Sequence, residues 1–391
     1  MSVIGWDNGQ LVVPDVVTVP FITGDGIGAE ITPVMRAVVD AAVAAEFGDA
    51  RRIEWLDVPA GEAAFETTGE WLPEATLDAC RNYRVSIKGP LGTPVGGGYR
   101  SLNVSLRRVL DLYACVRPVR WFEGVKSPLR EPALVDMVVF RENTEDLYAG
   151  IEWRAGSPEA RRLYHFLEND LGVTAVRFPA SSGFGIKPMS REGSRRLVRA
   201  ACQYAIDHDR PSVTLVHKGN IMKYTEGGFL QWGYEVAEQE FPGLKVKDAI
   251  VDAFLQNALL MPQDYSVVAA PNVNGDYISN QLAAMVGGLG IAPGANINYE
   301  TGHAVFEATH GTAPDLAGQG RANPSSLLLS AAMMLEYIGW LTAAARLTDA
   351  LASCYHEGTA TADIAPSGGC ECSTEEFGQQ IIARLANRNN D

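Results

Sequence analysis

The strongest constraint in this chain is a strand that runs directly into a glycine-rich turn and then a helix. Residues 16–22 form a β-branched apolar run leading into Thr23-Gly24-Asp25-Gly26-Ile27-Gly28, after which residues 31–45 carry apolar side chains at helical spacing. Further short strand candidates fall at 53–58, 84–87, 137–140, 213–217 and 265–270, with helical stretches between them. That alternation predicts an α/β architecture. The glycines do not match a dinucleotide-binding fingerprint: the third comes one residue early, and no acidic residue follows at the required distance. The segment therefore reads as a tight strand-to-helix turn.

Composition narrows the function. The chain has 391 residues, with 32 Lys+Arg against 47 Asp+Glu and a net charge of −15, which excludes generic nucleic-acid binding as the main activity. With 47% apolar residues, 20% charged and a mean hydropathy of −0.02, it can bury a large core, and its length predicts two domains. The longest apolar stretch, 327–340, is broken by Ser330 and Glu336 and reads as a buried helix rather than a membrane span. No Lys or Arg precedes Arg36, so the first segment lacks the basic start of a targeting signal and a cytoplasmic chain is expected. Six cysteines without a CxxC pair read as reduced thiols.

A helix is predicted over 191–206, capped by Ser190, and another over 373–385, opened by a capping box of Ser373 and Glu376. Residues 150–187, broken by Gly156, Pro158, Pro179, Gly183 and Gly185, read as an excursion without long elements. Two further Gly/Pro-rich zones, 271–279 and 287–298, and a loop over 362–372 complete the outline.

The chemistry lies in polar residues just past strand ends, where α/β sheets form their ligand crevice. Lys88, Arg141 and Lys218 each end or follow a strand, and Arg107, Arg117 and Arg141 offer guanidinium forks for carboxylates. In an acidic chain, either these arginines converge on a small polyanion or they form separate salt bridges. Asp252 lies among apolar residues, and Asp276 and Asn280 share a face if their segment is helical. Such oxygen ligands suit Mg²⁺ or Mn²⁺, although Asp276 equally suits a helix cap.

Several motifs together carry a resemblance: Arg100-Ser101-Leu102-Asn103, Phe140-Arg141-Glu142-Asn143-Thr144-Glu145-Asp146, Val216-His217-Lys218-Gly219-Asn220, Asn274-Gly275-Asp276-Tyr277-Ile278-Ser279 and Glu307-Ala308-Thr309-His310-Gly311-Thr312-Ala313-Pro314. Over essentially its whole length the chain resembles the β-decarboxylating dehydrogenases, and within them the homodimeric isocitrate dehydrogenases of bacterial type. The resemblance implies a doubly wound large domain with non-Rossmann cofactor binding (1–112 and 287–391), an inserted small α/β domain (113–145 and 191–286) and an interlocking clasp (146–190). It implies that Ser101 and Asn103 hold the substrate's γ-carboxylate, and Arg107, Arg117 and Arg141 the other two. Lys218 and Asp252 would reach in from the second subunit of a homodimer. Metal would be held by Asp252, Asp276 and Asn280, and cofactor by Thr93, Asn220, Glu307, His310, Gly311, Asp315, Leu316 and Asn323. Lys218 would take the substrate's hydroxyl proton, which requires neighbouring cations to lower its pKa, and Tyr148 would protonate the enolate left after CO₂ loss.

Asp315 argues for NAD as cofactor, because a carboxylate accepts from ribose hydroxyls and repels a 2′-phosphate. In NADP-using relatives the Asp315-Leu316 pair is Lys-Tyr, and the two later phosphate contacts are here Ala362 and Pro366. The expected activity is thus metal-dependent oxidative decarboxylation of isocitrate with NAD, as in the tricarboxylic acid cycle. Asn280, where the family has a third acid, and Gly92, before Thr93, leave open the same chemistry on a phosphonate analogue of isocitrate. A non-catalytic regulatory subunit is a further alternative, opposed by the presence of Tyr148, Lys218, Asp252 and Asp276.

Overall fold

The computed structural model describes residues 2–92, 101–366 and 368–387; the Thr93 expectation lies outside them. One ten-stranded sheet organises the chain. Its strands run in the spatial order Val246–Ile250, Val213–His217, Val267–Ala270, Asp136–Glu142, Ala114–Arg120, Pro293–Asn298, His303–Ala308, Val85–Lys88, Val16–Ile22 and Arg52–Asp57. The first four are mutually parallel, as are the last four. Between these wings, 114–120 and 293–298 pair antiparallel with each other and with their outer neighbours, so the two wings run in opposite directions. The expected α/β class is observed, with one continuous mixed sheet and twelve α-helices among the described residues.

The predicted strand 16–22 is buried almost throughout and passes into the helix Gly28–Phe47. That helix packs with Ser325–Tyr337, Leu341–His356 and Thr374–Asn387 over one wing, while Arg191–Asp207 packs on the other. A single apolar cluster, from Ile4 to Leu385, extends through both wings. Ser190 caps its helix by accepting from Gly193 N at 2.9 Å. The Ser373/Glu376 capping box forms as expected, although its helix begins at Thr374. All six cysteines are free. No helix among the described residues is long and apolar enough to cross a membrane.

The glycines of the first turn are required by close approach of backbone. Asp25 N donates to Pro90 O at 2.7 Å, and Ile27 N to Thr312 O at 3.0 Å. Gly26 has φ +56°, and a Cβ there would lie 2.2 Å from Thr312 O. The turn thus seats the 310–314 loop instead of cradling a pyrophosphate. Gly26→Ala is expected to cost about 1–3 kcal/mol, read as a lower denaturant midpoint, because backbone on both sides must shift.

Four local expectations need correction. The 150–187 excursion contains the twelve-residue helix Pro158–Asn169, because Pro158 occupies its first turn, where no hydrogen bond is lost, and Gly156 precedes it. The zone 271–279 opens the helix Asn272–Val286: Pro271 sits just outside it, and Gly275 lets it pass within contact of Arg141, whose Cβ a side chain would meet at 2.7 Å. The zone 287–298 ends in a buried strand with Pro293 at its first residue, and Cys370–Cys372 pairs with Thr359–Thr361 rather than forming a loop.

Candidate active site

Two linked polar clusters occupy the middle of the sheet. In the first, the fully buried Glu307 receives Lys88 Nζ at 2.8 Å, Asn296 Nδ2 at 2.8 Å and a short bond from Arg107. Asn143 joins it, accepting from Arg107 Nη1 at 3.5 Å and donating to Asn296 Oδ1 at 2.9 Å. Burial pushes the Glu307 carboxyl up, but Arg107 and Lys88 outweigh that and hold it well below the usual range.

The second cluster centres on Asp276, in the second turn of its helix and not at its cap. Arg141 Nη1 bonds its Oδ1, Tyr148 donates to its Oδ2 at 2.7 Å, and Arg117 lies 3.7 Å away. Arg141 also donates to Asn272 Oδ1 at 2.9 Å, and its guanidinium lies over the Tyr148 ring. Burial raises the Asp276 carboxyl, yet Arg141, the Tyr148 hydroxyl, Arg117 and Arg107 together hold it below its ordinary value. Tyr148 is shifted up by burial and by its bond to Asp276, so it stays a phenol at neutral pH. An ionised carboxylate beside a protonated phenol suits metal ligation and proton donation.

Arg107, Arg117 and Arg141 therefore converge instead of dispersing into surface salt bridges. Arg107 Nε and Arg117 Nε are buried donors without a hydrogen-bond partner among the described residues, which suits them to carboxylates, whereas the equally buried Asn103 Oδ1 is an acceptor. Ser101 precedes the helix Leu102–Val109, and Asn103 donates to Leu91 O at 3.4 Å. Gly92 N donates to Asp25 Oδ2 at 2.7 Å.

Lys218 and Asp252 pair with each other on the surface, and among the described residues neither side chain bonds Asp276 or Tyr148. Asn280 and Asn220 are exposed. Of the expected cofactor residues, His310 is the best poised. Its Nδ1 bonds Gly311 O at 2.9 Å, its Nε2 is buried without a partner among the described residues, and burial lowers its pKa, so the neutral ring offers an acceptor. Glu307 and Asn323 are engaged inside the protein, the latter with Asp363 and Ser325. Asp315 and Leu316 are exposed. Lys88 was singled out as a polar residue past a strand end, but Asn143, Asn272 and Asn296 were absent from the expected site. Asn272 had a signal, four residues before Asp276; the others meet only through the sheet.

A family profile described as Isocitrate/isopropylmalate dehydrogenase matches residues 18–381. The chain belongs to the isocitrate/isopropylmalate dehydrogenase family. An isocitrate dehydrogenase [NADP] of Coxiella burnetii is 56% identical over 402 residues, covering 97% of this chain and 94% of that protein. One from Streptococcus salivarius is 55% identical over 382 residues, covering 96% and 97%. The crystal structure of isocitrate dehydrogenase from Methylococcus capsulatus superposes with a TM-score of 0.81 at 40% identity, covering 94% of this chain and 99% of that one. These relatives overturn the expectation of NAD, since they are named for NADP. The expectation rested on Asp315 and on Leu316, Ala362 and Pro366 standing where NADP-using relatives contact the phosphate; in the structure the Asp315 side chain faces solvent, where water and salt screen its charge.

Proposed function

We propose that this family member oxidatively decarboxylates isocitrate to 2-oxoglutarate and CO₂, using NADP and Mg²⁺ or Mn²⁺. The observation that carries the reading is the convergence of Arg117, Arg141 and Tyr148 on Asp276, with Arg107 in the adjoining cluster close enough to hold the same carboxyl down. Arg107, Arg117 and Arg141 bind the substrate's carboxylates, with Ser101 and Asn103 at its far end. Asp276 holds the metal together with a second copy's Asp252, and Asn280 lies one turn further along the same helix. When bound, the cation acidifies the substrate hydroxyl and stabilises the charge left by CO₂ loss, and NADP accepts the hydride. Lys218 takes the hydroxyl proton and Tyr148 later returns one to carbon. NADP would be held by the neutral His310 and the backbone at Gly311, and Arg321 is the one cation between residues 310 and 323.

The active form is a homodimer with shared sites. Lys218 and Asp252 bond each other and not their own chain's Asp276 among the described residues, and apolar side chains near them in sequence, Ile221, Tyr224 (93% exposed) and Leu260, are uncovered, as is Tyr277 beside Asp276. Phe166, Leu171 and Phe178 of the 146–190 segment are likewise exposed, as suits a clasp that a second copy covers.

The test is NADPH formation from isocitrate with Mg²⁺, with CO₂ measured alongside. Asp276→Asn is expected to raise the Mn²⁺ dissociation constant by at least about 10–100-fold, the range found even for groups that only support a ligand. Mn²⁺ titration followed by paramagnetic resonance reads this directly. Unchanged affinity removes Asp276 from the metal site, and absence of NADPH with isocitrate overturns the reaction.

A further inference from the structure

Behind the reacting residues lies a buried charge knot for which the chemistry above has no use. Glu226, the first residue of the helix Glu226–Glu240, has no solvent exposure, although a carboxylate at a helix start is ordinarily solvated. Its Oε1 accepts from Lys187 Nζ at 2.5 Å. Its Oε2 accepts from two donors at once, the backbone N–H of Lys218 at 2.5 Å and Asn274 Nδ2 at 2.8 Å. Lys187 lies also 3.1 Å from Asp146 Oδ1, which takes the Leu147 N–H at 2.7 Å. Asp146 Oδ2 accepts from Val273 N at 3.0 Å. Asp146 is 1% exposed and adopts φ +67°, a left-handed conformation that costs a non-glycine residue energy and persists only where its surroundings enforce it.

The sequence positions of these contacts give the knot its meaning. Asp146 is two residues before Tyr148, Asn274 two before Asp276, and Glu226 bonds the backbone of Lys218 itself. We propose that Glu226, Lys187 and Asp146 are positioning residues that fix Lys218, Tyr148 and Asp276 relative to one another. This rests on the shared-site reading, under which one chain sends Lys218 to its partner's site and keeps Tyr148 and Asp276 for its own. The knot then joins the two active sites of the dimer inside each subunit. Because a single oxygen of Glu226 serves both Lys218 N and Asn274, a shift of the lysine loop is passed to the helix carrying Asp276. Buried ion pairs contribute little net stability compared with apolar side chains of the same volume, so a fixed geometry is the better account of this one.

The experiment uses purified hybrid dimers in which one subunit carries Lys218→Met and the other Tyr148→Phe, leaving one complete site. Glu226→Gln is then placed in either subunit. It keeps the size of the side chain but sets an NH₂ against the ammonium or the two N–H donors. In both placements kcat of the complete site is expected to fall on the order of 10-fold or more, as misplacement of catalytic groups does, with KM for NADP within about twofold. Lys187→Met repeats both arms, so the outcome does not depend on one variant folding. A fall in thermal midpoint with kcat unchanged in both arms overturns the proposal in favour of a purely structural knot. A loss confined to the arm in which Glu226→Gln accompanies the working Lys218 overturns the coupling. If the parent hybrid is inactive, the shared-site reading itself fails, and the coupling with it.

Discussion

Replacement of Lys218 by methionine is expected to lower kcat by about 10³-fold, within the range by which a positioned acid or base accelerates proton transfer. The side chain bonds only the Asp252 carboxylate among the described residues, and it belongs to neither buried cluster, so the substitution leaves the fold intact. Tyr148→Phe removes the donor to Asp276 and is expected to slow turnover through the second proton transfer. Neither homodimer turns over well, but their co-expression is expected to restore activity. Random pairing makes about half of the dimers hybrid, each with one complete site, so recovery approaches about a quarter of the wild-type rate. Steady-state NADPH formation measures all three preparations. If co-expression recovers nothing while both single variants are folded, each chain contains its whole site.

Glu307→Ala has the largest expected effect on stability. Glu307 is the only carboxylate that the structure places against Lys88 and Arg107 among the described residues, and Lys88 is 3% exposed. Its removal leaves two buried cations facing each other and is expected to cost about 3–5 kcal/mol, seen in urea unfolding as a lower midpoint. The effect carries a pH signature. Because the folded carboxyl lies below its unfolded value, its contribution is complete above about pH 5 and drains away as the pH falls. The gap between wild type and Glu307→Ala is therefore expected to narrow between about pH 5 and pH 3. A gap constant over that window rejects the ion-pair origin of the loss.

The alternation of strands and helices was readable because burial imposes it locally: the 16–22 and 213–217 runs are apolar where the sheet covers both faces. The arginine cluster was readable only as a possibility. Arg107, Arg117 and Arg141 lie on three separate elements, and whether guanidinium groups meet depends on sheet order, which spacing does not carry. The resemblance supplied that order. It did not supply Asn296 or Glu226, whose roles arise from contacts across 153 and 48 residues. The 271–279 segment was misread because Gly275 counts against a helix by propensity, yet the helix needs it to pass Arg141. The cofactor expectation failed for a related reason. Asp315, Leu316, Ala362 and Pro366 were weighed by residue type, whereas what a charge excludes depends on whether the fold buries and fixes it.

The sheet has a mechanical consequence. Its two wings meet in 114–120 and 293–298, which are joined by backbone hydrogen bonds rather than by a flexible linker. Any change in the angle between the wings must be absorbed as twist along that ladder, a torsion spring with a restoring force. The arginines and Glu307 sit at or beside this spring, so the shape of the pocket and the torsion of the sheet vary together. A rotation of one wing against the other would therefore change the spacing of these side chains, and a change in their spacing would twist the ladder.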